Sequence, residues 1–229
     1  MTETRLPNIE ACVFDAYGTL FDVNAAAAHK AEQLGDKWQP LAELWRSKQL
    51  QYTWLRALMD RHADFWQVTG DALDFAMSSL GIEDGALREE LMDLYLRLDA
   101  YPEAKQTLET LKAGGKKLAI LSNGSPKMLD AAVDNAGFGD LLDAVYSVES
   151  VGIYKPHASV YDLAVKGLGL EPDRISFQSS NAWDAFGARN FGFRVVWINR
   201  FGQAAERLPE TPDAMIADLA GLPAIVMPA

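Results

Sequence analysis

Cysteine is almost missing from this chain: Cys12 is the only one among 229 residues. That excludes an internal disulfide and any cysteine-based zinc site, and the place of Cys12 in the apolar run ACVF points to a buried, inert thiol rather than a nucleophile. Histidine is scarce too, and His29, His62 and His157 lack the spacing of metal ligands. No stretch of 18 apolar residues occurs, and MTETRLPNIE has neither the basic nor the apolar region of a signal peptide, so a soluble cytoplasmic protein is expected. Positive charge is in deficit. With 21 Lys and Arg against 32 Asp and Glu the net charge is -11, which argues against nucleic-acid and anionic-membrane partners while leaving room for an anionic substrate at a local cation. The GxSxG, GxGxxG and GxxxxGK(S/T) patterns are absent as well, so a serine-hydrolase elbow, a dinucleotide site and a P-loop lack support.

What is present is an alternation. Short apolar runs at 11–14, 117–121, 144–148, 175–179 and 194–198 read as buried parallel strands, each ending in small or polar residues. Helical patterns lie between them, for example at 102–115 with its terminal glycines and at 126–138. This rhythm predicts an α/β fold with a Rossmann-like, doubly wound parallel sheet. From about Asn24 to Ala100 the rhythm stops. Leu41, Leu44, Trp45, Leu50, Trp54, Leu55, Leu58 and Met59 recur at helical spacing, and Leu87, Leu91, Leu94 and Leu98 follow, which predicts a helical insert after the first strand.

Ligands of open α/β sheets bind beyond the carboxyl ends of the strands. Those ends carry Asp15 after the first run, Ser122 and Asn123 after KLAIL, and Ser179, Ser180, Asn181 and Asp184 after ISFQ, with Lys155 in VGIYKP. Taken singly, Ser122 and Asn123 read as a turn before a glycine, Asp184 as an acid in a first helical turn and Lys155 as a solvated loop lysine. Four strand ends with compatible groups favour a site. A carboxylate desolvated in a pocket is a competent nucleophile, and Asp15 is the candidate.

DAYGTLFD, LSNGS, YKP and SSNAWDA, in this order and over nearly the whole chain, resemble the haloacid dehalogenase superfamily. DAYGT, LWRSKQLQYTWLRALMDRHADFW and SSNAWDA resemble the L-2-haloacid dehalogenases in particular. The resemblance implies a core of residues 1–23 and 100–229 and a helical cap domain of residues 24–99. It implies that Asp15 attacks Cα of a short 2-haloacid, displaces halide with inversion and forms an ester, which water then hydrolyses to the 2-hydroxy acid. Thr19, Lys155, Ser179 and Asp184 are carried over as groups that orient the nucleophile or activate the water, and Ser122 and Asn123 as holding the substrate carboxylate. By the same resemblance Arg46 matches the residue that receives the halide, and Asn181, Tyr17, Phe65 and Trp183 would complete the pocket. Metal-dependent phosphatases of the superfamily carry further acids at the places of Tyr17 and Ser180, so no metal or other cofactor is expected here. Ser47 stands where some relatives carry a glutamine near the halide. The apolar excess around Leu50, Trp54 and Leu58, with the family likeness, implies a homodimer. A phosphatase of the same fold and a non-catalytic member that binds partners through its tryptophan-rich cap are the competing readings.

Overall fold

In the computed structural model, which describes residues 5–227, the apolar runs form one all-parallel sheet. Its strands are β1 (Ala11–Phe14), β2 (Lys117–Ser122), β3 (Ala144–Ser147), β4 (Ile175–Ser179), β5 (Arg194–Ile198) and β6 (Ala214–Ile216), in the spatial order β3-β2-β1-β4-β5-β6. β1 and β4 lie centrally and are buried on both faces, which is why they read as continuous apolar runs with no alternation. The doubly wound sheet anticipated from the alternation is therefore present. Two edges depart from expectation. β3 is an edge strand with a half-exposed face, and β6 is absent from the sequence reading because AMI is short and leaves Met215 largely exposed.

Between β1 and β2 the chain is helical: α1 (Ala25–Ala28), α2 (Ala31–Leu34), α3 (Trp38–Leu58), α4 (Phe65–Ser79) and α5 (Gly85–Leu96). α4 and α5 begin where an aspartate can accept from the first free amides. Asp64 accepts from Gln67 N at 3.0 Å and Asp84 from Leu87 N at 2.9 Å, each cap worth about 1 kcal/mol. The stripe Leu41, Trp45, Gln49 and Thr53, spaced by four, turns one side of α3 inward along α4, and all four residues are buried. α6 (Ala104–Ala113), α7 (Pro126–Ala136), α8 (Ala158–Leu168), α9 (Ala182–Phe191) and α10 (Leu222–Val226) complete the structure. Among the described residues no helix is long and apolar enough to cross a membrane.

The chain leaves and re-enters the sheet region side by side. Asp22 N donates to Asp99 O at 2.8 Å and Tyr101 N to Leu20 O at 2.9 Å, which sets the helical segment over the carboxyl edge of β1. The strand order reverses between β1 and β4, so their carboxyl ends flank the crevice where doubly wound sheets bind ligands.

Candidate active site

Asp15 follows β1 directly, and its backbone amide donates to Gln178 O of β4 at 2.9 Å. Beyond it the chain turns through Gly18, whose φ of 93° is a conformation that a side chain disfavours. The turn returns Thr19 to the carboxylate. Ser180 N donates to Thr19 Oγ1 at 2.8 Å, so the threonine proton points the other way, to Asp15 Oδ2 at 3.0 Å. Asn181 Nδ2 donates to the same oxygen at 2.8 Å. On the other oxygen, Oδ1, Lys155 Nζ donates at 3.0 Å. Three donors from three separate segments thus hold one carboxylate in a single orientation.

Lys155 is enclosed, and its ammonium also bonds Asp184 Oδ2 at 2.9 Å. Burial opposes its charge, but the two carboxylates outweigh burial and the lysine pKa is raised. Asp184 sits in the first turn of α9 and accepts from Tyr161 Oη of α8 on Oδ1 at 2.8 Å. Burial, joined by the charge of Asp15, pushes the Asp184 carboxyl up to about 6 against the pull of Lys155 and Tyr161. Tyr161 itself is pushed well above the ordinary phenol range, first by burial and then by Asp184.

The opposite wall comes from the helical segment. Arg46 of α3 donates through Nη2 to Asn181 Oδ1 at 3.0 Å and to Tyr17 O at 3.3 Å. Phe65, the first residue of α4, lies 5.7 Å from the Tyr17 ring between centroids and is buried with it. Trp183 packs edge-on against Trp54 of α3 at 5.4 Å. Apolar walls therefore meet a guanidinium on one side and a clamped carboxylate on the other, the setting in which charge interactions are strong.

Of the residues singled out in the sequence, Asp15, Thr19, Asn181, Lys155 and Asp184 form one hydrogen-bonded group, and Arg46 joins it through Asn181. Others stand one step back. Asn123 Oδ1 accepts from Lys155 N at 3.1 Å, and Ser122 Oγ accepts from Gly124 N at 3.0 Å. Ser179 Oγ is bonded to the backbone of Asn181, accepting from its N at 3.2 Å, so it shapes the Asn181 turn rather than touching Asp15. Ser47 lies exposed on the outer side of α3. Gln178 donates to Ser176 Oγ at 2.5 Å within β4, and nothing in the structure explains its amide.

Two groups escaped the sequence reading. Tyr161 carries no motif, and its only signal is a tyrosine in the buried stripe of a helix. Gln49 and its partners Thr69 and Tyr95 hold Arg46 from behind, and their signal is a pair of polar residues, Gln49 and Thr53, in the otherwise apolar stripe of α3.

A divalent metal does not fit this arrangement. Lys155 Nζ lies between the carboxylates of Asp15 and Asp184, where a cation would have to sit, and Tyr17 and Ser180 add no carboxylate. Among the described residues no three His, Cys, Asp or Glu side chains cluster as metal ligands.

A family model for haloacid dehalogenase-like hydrolases matches residues 9–192. The (S)-2-haloacid dehalogenase of Pseudomonas sp. (strain YL) is 48% identical over 212 residues, 92% of this chain and 91% of that protein. The (S)-2-haloacid dehalogenase 4A of Burkholderia cepacia is 46% identical over 87% of each chain. Among solved structures, the L-2-haloacid dehalogenase from Xanthobacter autotrophicus with chloropropionic acid covalently bound superimposes with a TM-score of 0.88 at 40% identity, covering 94% of this chain and 97% of that one.

Proposed function

From its membership of the haloacid dehalogenase-like hydrolase family, to which this chain belongs, we propose that it is an (S)-2-haloacid dehalogenase, a hydrolase that converts short (S)-2-haloalkanoic acids to (R)-2-hydroxy acids. The observation that carries this reading is the Asp15 carboxylate, held by Lys155, Thr19 and Asn181, with the Arg46 guanidinium facing it through Asn181. A carboxylate so placed attacks carbon from one side while a cation awaits the leaving group on the other.

An Asp15 oxygen forms a bond to C2 of the substrate, and the carbon–halogen bond breaks with its electron pair, giving halide beside Arg46 and an ester on Asp15. Attack opposite the leaving group inverts C2. Water then adds to the Asp15 carboxyl carbon and gives up a proton to Asp184, whose burial raises its pKa and makes it a better base than a solvated carboxylate. The bond from that carbon to the substrate oxygen breaks, the alkoxide takes up a proton, and the hydroxy acid leaves. Lys155 supplies positive charge to the oxyanion of this step. Tyr161 holds Asp184 in place. Ser122 and Asn123, at the end of β2, are assigned to the substrate carboxylate, and Tyr17, Phe65 and Trp183 to its alkyl group. Ser179 acts by holding the turn that carries Asn181.

The same reading treats residues 24–99 as a cap domain over a core of 1–23 and 100–229, supported by the paired linkers at Asp22 and Asp99. It includes a homodimer formed through exposed apolar residues of α3. A cytoplasmic location suits a chain whose one thiol, Cys12, is buried and free.

One single-turnover experiment tests the reading, with enzyme in excess over (S)-2-chloropropionate in ¹⁸O-labelled water containing EDTA. Chloride and unlabelled (R)-lactate are expected, with label entering the Asp15 peptide on repeated turnover. Label in the first-turnover lactate would make Asp15 a general base. A phosphatase or a non-catalytic binding protein releases no chloride at all.

A further inference from the structure

Arg46 has its own support inside the helical segment. Its Nη1 donates to Gln49 Oε1 at 2.7 Å, one helical turn along α3, while Nη2 faces the sheet and bonds Asn181. Gln49 is 1% exposed, so its amide has only protein partners to satisfy it. Those partners determine which way the amide points. Thr69 Oγ1 donates its one proton to Phe65 O at 2.6 Å and must therefore accept from Gln49, whose Nε2 lies 2.8 Å away. Tyr95 Oη of α5 closes the other side, 3.1 Å from Nε2 and 3.2 Å from Oε1. With the nitrogen committed to Thr69, the oxygen must face Arg46. A reversed amide sets NH2 against a guanidinium, donor against donor.

The network continues across to the sheet. Asn181 uses its oxygen for Arg46 and its nitrogen for Asp15 Oδ2. Arg46 thus donates both ways, back through Gln49 to Thr69 and forward through Asn181 to the nucleophile, and one continuous network joins Thr69 to Asp15.

We propose that Gln49, with Thr69 and Tyr95 behind it, is a positioning residue that fixes the Arg46 guanidinium at the distance and angle where halide departs, and that this network sets how well the enzyme handles poorer leaving groups. The inference rests on the dehalogenase reading above. Arginine carries several rotatable bonds, and a cation free to move must be reorganised as charge develops, whereas a held one needs no such step. The dependence on the leaving group has a direct cause. Chloride is smaller than bromide and a poorer leaving group, so its departure draws more on a closely placed cation, and Coulomb energy falls with distance.

The test is halide release in a single turnover, enzyme in excess, from (S)-2-chloropropionate and (S)-2-bromopropionate. Steady-state kcat is unsuitable because ester hydrolysis can hide the first step. Gln49→Met keeps the length and volume and removes both hydrogen-bonding ends. It is expected to slow chloride release about 100-fold, as loss of one aligned transition-state contact does, and bromide release about tenfold. The bromide-to-chloride ratio then widens about tenfold over wild type. Thr69→Val, which frees the amide without changing its volume, is expected to widen the ratio in the same direction. It becomes the deciding variant if Gln49→Met does not fold. Rates that fall equally for both halides, leaving the ratio at the wild-type value, mean that Gln49 serves only to pack α3 against α4, and the proposal is overturned. Wild-type enzyme that releases neither halide overturns the dehalogenase reading first, and this inference with it.

Discussion

Two carboxylates share one ammonium beneath the cleft, and that imbalance governs the acid–base behaviour of the site. Lys155 bonds Asp15 and Asp184 together, at 3.0 and 2.9 Å, so in the resting site this ammonium balances only one of the two negative charges it touches. Buried uncompensated charge is relieved by protonation, and burial accordingly raises Asp184 to about 6. The sign of the pH dependence follows. Asp184 takes a proton from water only when deprotonated. With Asp15 esterified its charge no longer raises Asp184, so the base titrates below its resting value of about 6 and hydrolysis of the ester is fully active above pH 6. Once the pH falls below the pKa of Asp184 in the ester, turnover is expected to fall about tenfold per pH unit, with the ester on Asp15 accumulating. Quenched-flow measurement of hydroxy acid release between pH 4.5 and 8, set against trapped ester, checks this. A profile flat down to pH 4.5 with no accumulated ester removes Asp184 as the base.

At the scale of elements, the crossing of α8 and α9 determines where Tyr161 and Asp184 meet. Gly187, one turn beyond Asp184 on α9, faces this crossing. A Cβ there meets Pro156 Cβ at 2.6 Å and Tyr161 Oη at 2.8 Å, closer than real contacts allow. Gly187→Ala must therefore separate the helices or displace the Tyr161 hydroxyl from Asp184. Overpacking of this kind costs about 1–3 kcal/mol, so a thermal melt should show a Tm lower by about 2–4 °C per kcal/mol. Ester hydrolysis should slow as well, because the hydroxyl that holds Asp184 has moved. An unchanged melting temperature and rate mean that the crossing yields without strain. A second interface of elements joins the helical segment to the sheet side: His62 bonds Glu149 at 2.9 Å, and Tyr154 Oη donates to Ala63 O. These contacts lie beside Phe65 and help to keep it against Tyr17.

For the whole molecule, the question is what covers the outer side of α3. Leu58 is 83% exposed and Met59 60%, with Leu55 and, on α4, Phe75 each about two-fifths exposed. Leu55, Leu58 and Met59 fall within about one helical turn at the end of α3, which is more than scattered exposure accounts for. Of the residues marked in the sequence for this role, Trp54 packs on Trp183 instead and Leu50 is only half-exposed, so Leu58 is the most exposed of them. Pairing this patch with its own copy forms a closed two-fold contact. Sedimentation velocity at micromolar concentration is expected to give a dimer, and Leu58→Glu a monomer that keeps its fold. A wild-type monomer ends the proposal of a homodimer.

Much of this molecule is legible in one dimension. Strands buried on both faces have no choice but to be continuous apolar runs, so β1, β2, β4 and β5 show in the sequence within a residue of their ends. Parallel order follows from the helices between them, and the carboxyl edge of such a sheet is where polar residues are tolerated only for a purpose, which exposes Asp15, Asn181 and Asp184. The edge strand β6 does not show, because a strand paired on one side and half in water needs no apolar run. The partners that make those residues act are equally hidden. Whether Ser179 touches Asp15 or Asn181, whether Ser47 or Gln49 stands behind Arg46, and whether any tyrosine reaches Asp184 all turn on the rotation of a helix by a fraction of a turn and the direction of one amide. Those are settled only when α3 packs on α4 and α5, and α8 on α9, because a buried hydrogen bond is decided by which donors close packing leaves within 3 Å.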